Sequence, residues 1–129
     1  MKSVFRLGLF CVVVCLVTSV AMGTSLKDVL REAESKDPGV RYLAIGKLAE
    51  HQDKKALEAV IGALNDPDGS VRWAAVDSLG KSNQVDSVQP LIDFLRTGPD
   101  EQRHLALSAL TKLDDNRAGP AMIDFITAN

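Results

Sequence analysis

Three segments of the sequence repeat one pattern at intervals of 31 residues. They read VRYLAIGKL, VRWAAVDSL and QRHLALSAL, and each keeps an arginine, an alanine and a final leucine in the same places. Apolar residues at i, i+4 and i+8, such as Val40, Ala44 and Leu48, lie on one face of an α-helix. Each segment therefore predicts an amphipathic helix, which we name the A helix.

A second apolar pattern follows each A helix and predicts another helix, the B helix. Its members recur at the same period: Leu26, Val29, Leu30 and Ala33; Leu57, Val60, Ile61 and Leu64; Val88, Leu91, Ile92 and Leu95; and Gly119, Met122, Ile123 and Ile126. No segment alternates apolar and polar residues as a half-buried strand does. The sequence therefore predicts an all-α fold, an α-solenoid of about three and a half helical hairpins.

The hairpins are predicted to stack into one domain, because a single hairpin buries too little apolar surface to offset its loss of conformational entropy. The periodic residues divide this domain, 24–129, into a lone B helix over 24–36 and hairpins over 37–65, 66–96 and 97–129. No polar capping unit follows the last B helix in the sequence. An uncapped end of this kind favours self-association or the docking of a partner.

Residues typical of helix ends fall at these divisions. Asp37 and Asp66 each precede a proline, which predicts an N-cap acceptor before a proline at the first helical position. Ser25 and Asp28 form a capping box for the first B helix. Gly80 is predicted to lie at the C-terminus of the second A helix.

Residues 1–23 are predicted to be a signal peptide rather than part of the repeat domain. Lys2 and Arg6 precede an uncharged apolar stretch that ends near Val20. Ala21 and Gly23 then place small side chains where a signal peptidase cuts. The stretch is shorter than the about 20 residues of a transmembrane helix, so a retained anchor is the less favoured alternative. Cleavage near Gly23 predicts a periplasmic or secreted protein without membrane attachment.

The residues left after cleavage exclude several classes of function. Both cysteines and two basic residues lie in the first 23 positions, so the net charge changes from −2 to −4. An acidic domain without clustered Lys and Arg is a poor partner for nucleic acid. His51 and His104 are the only histidines, and no column of the repeat carries a catalytic or metal-binding set. We therefore expect no catalytic residue, no metal and no cofactor.

The second hairpin carries a family pattern. Residues 66–80 read DPDGSVRWAAVDSLG, and residues 86–95 read DSVQPLIDFL. They resemble the short HEAT-like repeat named after phycobilisome lyases, which typically runs DPDxxVRxxAxxALG before a helix of the type AVPxLI. The first hairpin lacks two residues before its A helix, and the third has Gln102 where that pattern has valine.

The resemblance implies an interaction scaffold more than an enzyme. Some resembling proteins, the bilin lyases, help to attach tetrapyrroles to proteins. A related di-iron hydroxylase presents several His-Glu pairs, whereas here only His51 has a neighbouring glutamate, Glu50. The expected function is an exported, non-catalytic HEAT-like scaffold that binds a protein or peptide. A tetrapyrrole (bilin) lyase-related or lyase-chaperone protein is the alternative.

Two surfaces are candidates for partner binding. The outer face of the B helices should line the concave side, which solenoids use for partners. We name its candidate residues the B-helix surface: Lys27, Arg31, Glu58, Gln89, Asp93, Arg96 and Asp124. The alternative anchors are the A-helix column Tyr42, Trp73 and His104, because exposed tryptophan is enriched at binding hot spots. For Trp73, packing flat across the neighbouring A helix is the competing interpretation.

The arginine column has a role that the resemblance implies. In resembling repeats this arginine commonly locks neighbouring units by pairing with acids in the turns. The expected structural ladder consists of Arg41, Arg72 and Arg103, with Asp53 and Asp115 as acidic partners. An anion site is the less favoured alternative, because like charges one repeat apart need nearby acids.

Overall fold

The computed structural model describes residues 25–128, and this part of the chain is all-α, as predicted. Its helices are α1 Leu26–Ala33, α2 Pro38–Leu48, α3 Lys54–Gly62, α4 Gly69–Lys81, α5 Val88–Thr97, α6 Asp100–Leu113 and α7 Gly119–Ala128. Short 3₁₀ turns cover Ala63–Asn65, Val85–Ser87 and Asn116–Ala118. Helices α2, α4 and α6 are the A helices, and α1, α3, α5 and α7 are the B helices.

The predicted signal peptide, residues 1–23, lies outside the described residues. Between residues 25 and 128, no helix has both the length and the apolar character that crossing a bilayer requires.

The helices stack in chain order, which is the arrangement of an α-solenoid. α4 packs against both α2 and α6, and each A helix also packs against the B-helix segment that precedes it. The predicted core columns are confirmed, since all six residues are at most 1% exposed: Ala44, Ala75, Ala106, Leu48, Leu79 and Leu110. The small alanines allow neighbouring helices to approach closely.

Capping side chains begin the first two helices as the sequence predicts. The hydroxyl of Ser25 accepts the backbone N–H of Asp28 at 3.4 Å. The carboxylate of Asp37 accepts the backbone N–H of Gly39 at 2.7 Å, and Pro38 occupies the first helical position. These acceptors satisfy backbone donors that have no partner within the helix.

The predicted cap of the second A helix was wrong by two residues. α4 begins at Gly69, and its N-cap is Asp68, whose carboxylate accepts the backbone N–H of Ser70 at 2.9 Å. Asp68 lies 31 residues after Asp37 and is therefore its true counterpart. Asp66 lies two residues before this cap, at the position that Ser35 has in the first hairpin, and is therefore free for another role.

Gly80 lies in the last turn of its helix, as predicted, but it does not adopt the left-handed conformation of a glycine cap. α4 continues to Lys81, and the left-handed residues that follow the A helices are Asn83 (φ 52°) and Asp114 (φ 49°). Asn and Asp tolerate this conformation better than most residues. At Gly80 a Cβ atom would lie only 2.9 Å from the Cβ of Ala109 in α6. Gly80 therefore permits the close approach of α4 and α6.

The two ends of the stack expose residues whose internal counterparts are buried. Val40, predicted on the core face of α2, is 37% exposed, whereas its counterpart Val71 is fully buried. Ile123 and Ile126 of α7 are 62% and 63% exposed, although the sequence pattern assigns them to the core register. Within the described residues no A helix precedes α2 and none follows α7, so these faces lack a neighbour.

Candidate functional site

All seven residues of the B-helix surface are exposed to solvent. Several engage in pairs within their own helix. The Nε2 of Gln89 donates to the Oδ1 of Asp93 at 2.9 Å, and the Nζ of Lys54 lies 3.9 Å from the Oε1 of Glu58. Exposed pairs of this kind add little stability, so they leave these side chains free to exchange partners.

A groove opens between α3 and α5 beside this surface, and we name it the α3–α5 groove. Its volume is about 420 Å³. The apolar part of its lining comes from α3 and the turn after it, from α5, and from the loop before α6: Ile61, Leu64, Pro90, Phe94 and Pro99. Polar side chains at its edge include Arg72 and Asp93, so Asp93 belongs both to the groove and to the B-helix surface. The site therefore combines an apolar floor with opposite charges.

The arginine column links each repeat to the next, but through different acids than predicted. The Nε and Nη2 of Arg41 donate to the two carboxylate oxygens of Asp66 at 2.7 and 2.8 Å. The Nη1 of Arg41 donates to the carbonyl oxygen of Ser35, in the loop before its own helix, at 2.9 Å. A bidentate arginine–carboxylate pair fixes orientation as well as distance.

Asp66 is held as a carboxylate by this pair. The hydrogen bonds from Arg41 lower the pKa of Asp66 below its usual 3.8, and the backbone N–H of Asp68 contributes in the same direction. The same contact raises the pKa of Arg41. The side chains of Arg41 and Asp66 are only 14% and 10% exposed, respectively. Asp66, which the prediction placed at a helix cap, is thus the acidic partner of Arg41.

Gln102 takes the corresponding role at the next junction. The Nε of Arg72 donates to the Oε1 of Gln102 at 2.8 Å, and the Nε2 of Gln102 donates to the carbonyl oxygen of Gly69 at 2.9 Å. The Nη1 of Arg72 also donates to the carbonyl oxygen of Asp66 at 2.8 Å. Gln102, which departs from the family pattern, therefore replaces the carboxylate with an amide that both accepts and donates.

The predicted partners of the arginines, Asp53 and Asp115, were wrong. The carboxylate of Asp53 accepts the backbone N–H of Lys55 at 2.8 Å and caps α3. Asp115 pairs with Arg117 at 2.9 Å, and the hydrogen bonds from Arg117 lower the pKa of Asp115 from 3.8 to about 2. Both acids cap the element that begins immediately after them, so neither reaches the arginine column.

Arg103 is the last arginine of the column, and its side chain contacts α6 and the neighbouring helices α5 and α7. Its Nη2 pairs with Asp100 of the same helix, and its Nη1 reaches the carbonyl oxygen of Arg96 at 3.5 Å. Its Cζ lies 5.7 Å from the centroid of the Phe125 ring in α7. The guanidinium therefore lies between α6 and α7.

The A-helix column forms a second surface. The rings of Tyr42 and Trp73 stack with their centroids 6.3 Å apart and their planes 17° from parallel. They are 36% and 42% exposed and line an open groove of about 670 Å³ with Gln102. His104 is exposed but does not line this groove. Trp73 therefore both packs against the neighbouring A helix and remains accessible.

Between residues 25 and 128 no group of three or more His, Cys, Asp or Glu side chains is placed to hold a metal ion.

Comparison with known proteins agrees with the repeat geometry. A family profile described as HEAT repeats matches residues 25–111. The chain belongs to the HEAT-repeat family. A search of curated proteins gives no significant match.

Among solved structures, this HEAT-repeat chain is similar to a chain in the complex of CpcE and CpcF of phycocyanin lyase from Nostoc sp. PCC7120. The TM-score is 0.70, and the sequences are 26% identical. The match covers 81% of this chain and 42% of the other, so this chain spans less than half the length of that lyase chain. The likeness supports a repeat of the lyase type.

Proposed function

We propose that this HEAT-repeat chain is a non-catalytic scaffold that binds a protein or peptide along the B-helix surface. The α3–α5 groove is the observation that carries the proposal. An apolar lining with a few oriented polar groups is the usual composition of sites that hold small groups. A partner segment would place an apolar side chain between Ile61 and Phe94 and a polar group towards Asp93.

We test this proposal by affinity purification from the source cells with quantitative mass spectrometry. Glu58→Lys combined with Asp93→Lys reverses two charges on either side of the groove and should deplete the partner about tenfold or more. The matched control, Glu50→Lys with Asp86→Lys, changes the net charge equally at exposed positions elsewhere. Equal recovery of all proteins with both variants would contradict binding at this surface. Loss with a Trp73→Ala variant instead would favour the Tyr42–Trp73 groove.

We also propose that the protein is exported and acts in the periplasm or outside the cell. The basic residues, apolar stretch and small residues of positions 1–23 support this. The intact mass of the protein from source cells should correspond to a chain that begins at Thr24. A mass that includes Met1, found in the soluble cytoplasmic fraction, would contradict export.

A lyase-related role is the second candidate, favoured by the 26% identity to a phycocyanin lyase chain. It predicts that a free bilin bound by this chain changes its visible absorption. The scaffold proposal predicts no change when phycocyanobilin is added at micromolar protein concentration. A saturable spectral shift would favour the lyase-related role.

A further inference from the structure

The Tyr42–Trp73 groove lies at the starts of the A helices, and aromatic rings form much of its apolar lining. Pro38 and Tyr42 of α2 and Trp73 of α4 contribute to it. The centroids of the two rings are 6.3 Å apart, whereas the atoms of rings in full face-to-face contact are about 3.5–4 Å apart. The rings therefore do not cover each other completely, and part of each ring stays open to the groove.

Asp68 gives this groove a negative charge. Among the described residues that line the groove, it is the only one with a charged side chain. Its Oδ1 accepts the backbone N–H groups of Ser70 and Val71, and its Oδ2 has no hydrogen-bond partner within residues 25–128. The only buried side-chain polar atom without a partner in that range is the Nε of Arg103. The Oδ2 of Asp68 is therefore accessible to solvent and free to accept a donor from a ligand.

The neighbouring arginines are already paired elsewhere. Arg41 donates to Asp66 and to loop carbonyl oxygens, and Arg72 donates to Gln102 and to loop carbonyl oxygens. Neither arginine lines the Tyr42–Trp73 groove. Asp68 and Arg41 attract each other by charge, but no hydrogen bond or ion pair joins them in the described part of the chain. The free carboxylate oxygen of Asp68 is therefore not occupied by a cation of the chain itself.

An anionic ligand does not match this groove, although helix starts often bind anions through free backbone N–H groups. The carboxylates of Asp37 and Asp68 already accept two backbone N–H groups each at the starts of α2 and α4. They also place negative charge at these helix ends, which opposes a second anion. The faces of the Tyr42 and Trp73 rings carry the negative part of the ring quadrupole. The charge of the groove is therefore complementary to a cation.

We propose that the Tyr42–Trp73 groove binds an arginine side chain of another protein or of a peptide. The guanidinium plane would lie on the open parts of the Tyr42 and Trp73 rings, and its N–H groups would donate to the Oδ2 of Asp68. Arginine fits better than lysine, because its planar guanidinium stacks on an aromatic ring and still donates at its edge. The site shares no lining residue with the α3–α5 groove and does not depend on the function proposed for that groove.

The fluorescence of Trp73 tests this proposal directly, because Trp73 is the only tryptophan in the sequence. The probes are acetylated tetrapeptide amides of arginine, of lysine and of citrulline, whose ureido group has the shape of guanidinium without its charge. We expect the arginine peptide to change the fluorescence saturably. The lysine peptide should bind about threefold or more weakly, and the citrulline peptide about tenfold or more weakly, than the arginine peptide.

Two substitutions and a matched control locate the binding. Asp68→Asn removes the charge but keeps a side chain that caps helices as well as aspartate does, so it should weaken arginine-peptide binding about fivefold or more without unfolding α4. Tyr42→Ala removes one of the two rings and should weaken binding about threefold or more. Asp93→Asn removes the same charge at an exposed position of the α3–α5 groove and should leave binding unchanged within about twofold.

Three results would overturn the proposal. One is fluorescence that the arginine peptide leaves unchanged at millimolar concentration, and another is binding of the lysine or citrulline peptide as tight as that of the arginine peptide. The third is equal weakening by Asp68→Asn and Asp93→Asn, because binding would then follow the net charge of the protein rather than this groove. None of these results bears on the α3–α5 groove, whose test is the recovery of a partner from cells.

Discussion

The contact between Gly80 and Ala109 predicts an unusual response to Gly→Ala substitution. In an exposed helix interior this change stabilises by about 0.5–1 kcal/mol, because it lowers the entropy of the unfolded chain. At Gly80 the added Cβ would lie 2.9 Å from the Cβ and 3.1 Å from the Cα of Ala109. Overpacking of this kind costs about 1–3 kcal/mol. The balance is a net loss of about 0–2.5 kcal/mol for Gly80→Ala, against the gain expected at an unhindered position.

Gly46→Ala is the matched control, because Gly46 lies within α2 and its added Cβ would meet no atom within 4 Å. We expect Gly46→Ala to raise the free energy of unfolding by about 0.5–1 kcal/mol. Urea titrations followed by far-UV circular dichroism measure both variants. Ala109→Gly added to Gly80→Ala should recover part of the loss, which a double-mutant cycle quantifies. Equal stabilisation by the two alanines would refute the close approach of α4 and α6.

Three further predictions concern the core and the acid pairs. Leu79→Ala, at a fully buried position, should lower the free energy of unfolding by about 2–5 kcal/mol in a urea titration. The pKa of Asp115 is lowered from 3.8 to about 2 by Arg117, so its stabilisation is complete above pH 3.8 and lost as the pH falls to about 2. Asp115→Asn should therefore make the urea midpoint less dependent on pH in that window, and an unchanged slope would contradict this assignment. Asp66→Asn should lower the thermal midpoint at neutral pH by removing the carboxylate from Arg41, whereas an unaltered midpoint would show that the pair is dispensable.

The repeat period was sufficient to predict the fold because the fold depends on which side chains are buried, and the period identifies them. The alanine and leucine columns are buried in all three A helices. The prediction assumes only that each hairpin packs against its neighbours in the same way as the previous hairpin. The first and last repeats break this condition. Val40, Ile123 and Ile126 have the pattern of core residues, yet they are exposed because periodicity does not say whether a neighbour is present.

The polar links were harder to predict because they depend on the exact position of each acid relative to the start of its helix. Asp66 and Asp53 are both acids near helix starts, and the sequence gives no distance between either one and Arg41. The Asp-Pro pair lies two residues earlier in the second hairpin than in the first, which places Asp66 at the junction and leaves the cap to Asp68. The α3–α5 groove also escapes sequence reasoning, since Phe94 reads as a core residue and the space beside it depends on the spacing of helices.

Site-directed photo-crosslinking in the source cells tests the central claim of partner binding most directly. A photoreactive residue at Gln89, on the B-helix surface beside the α3–α5 groove, is compared with one at His104, on the exposed side of the A helices. The account predicts a discrete crosslinked protein from position 89 that is absent from position 104 and is lost with Asp93→Lys. Crosslinks from position 104 alone, or none from position 89, would contradict it.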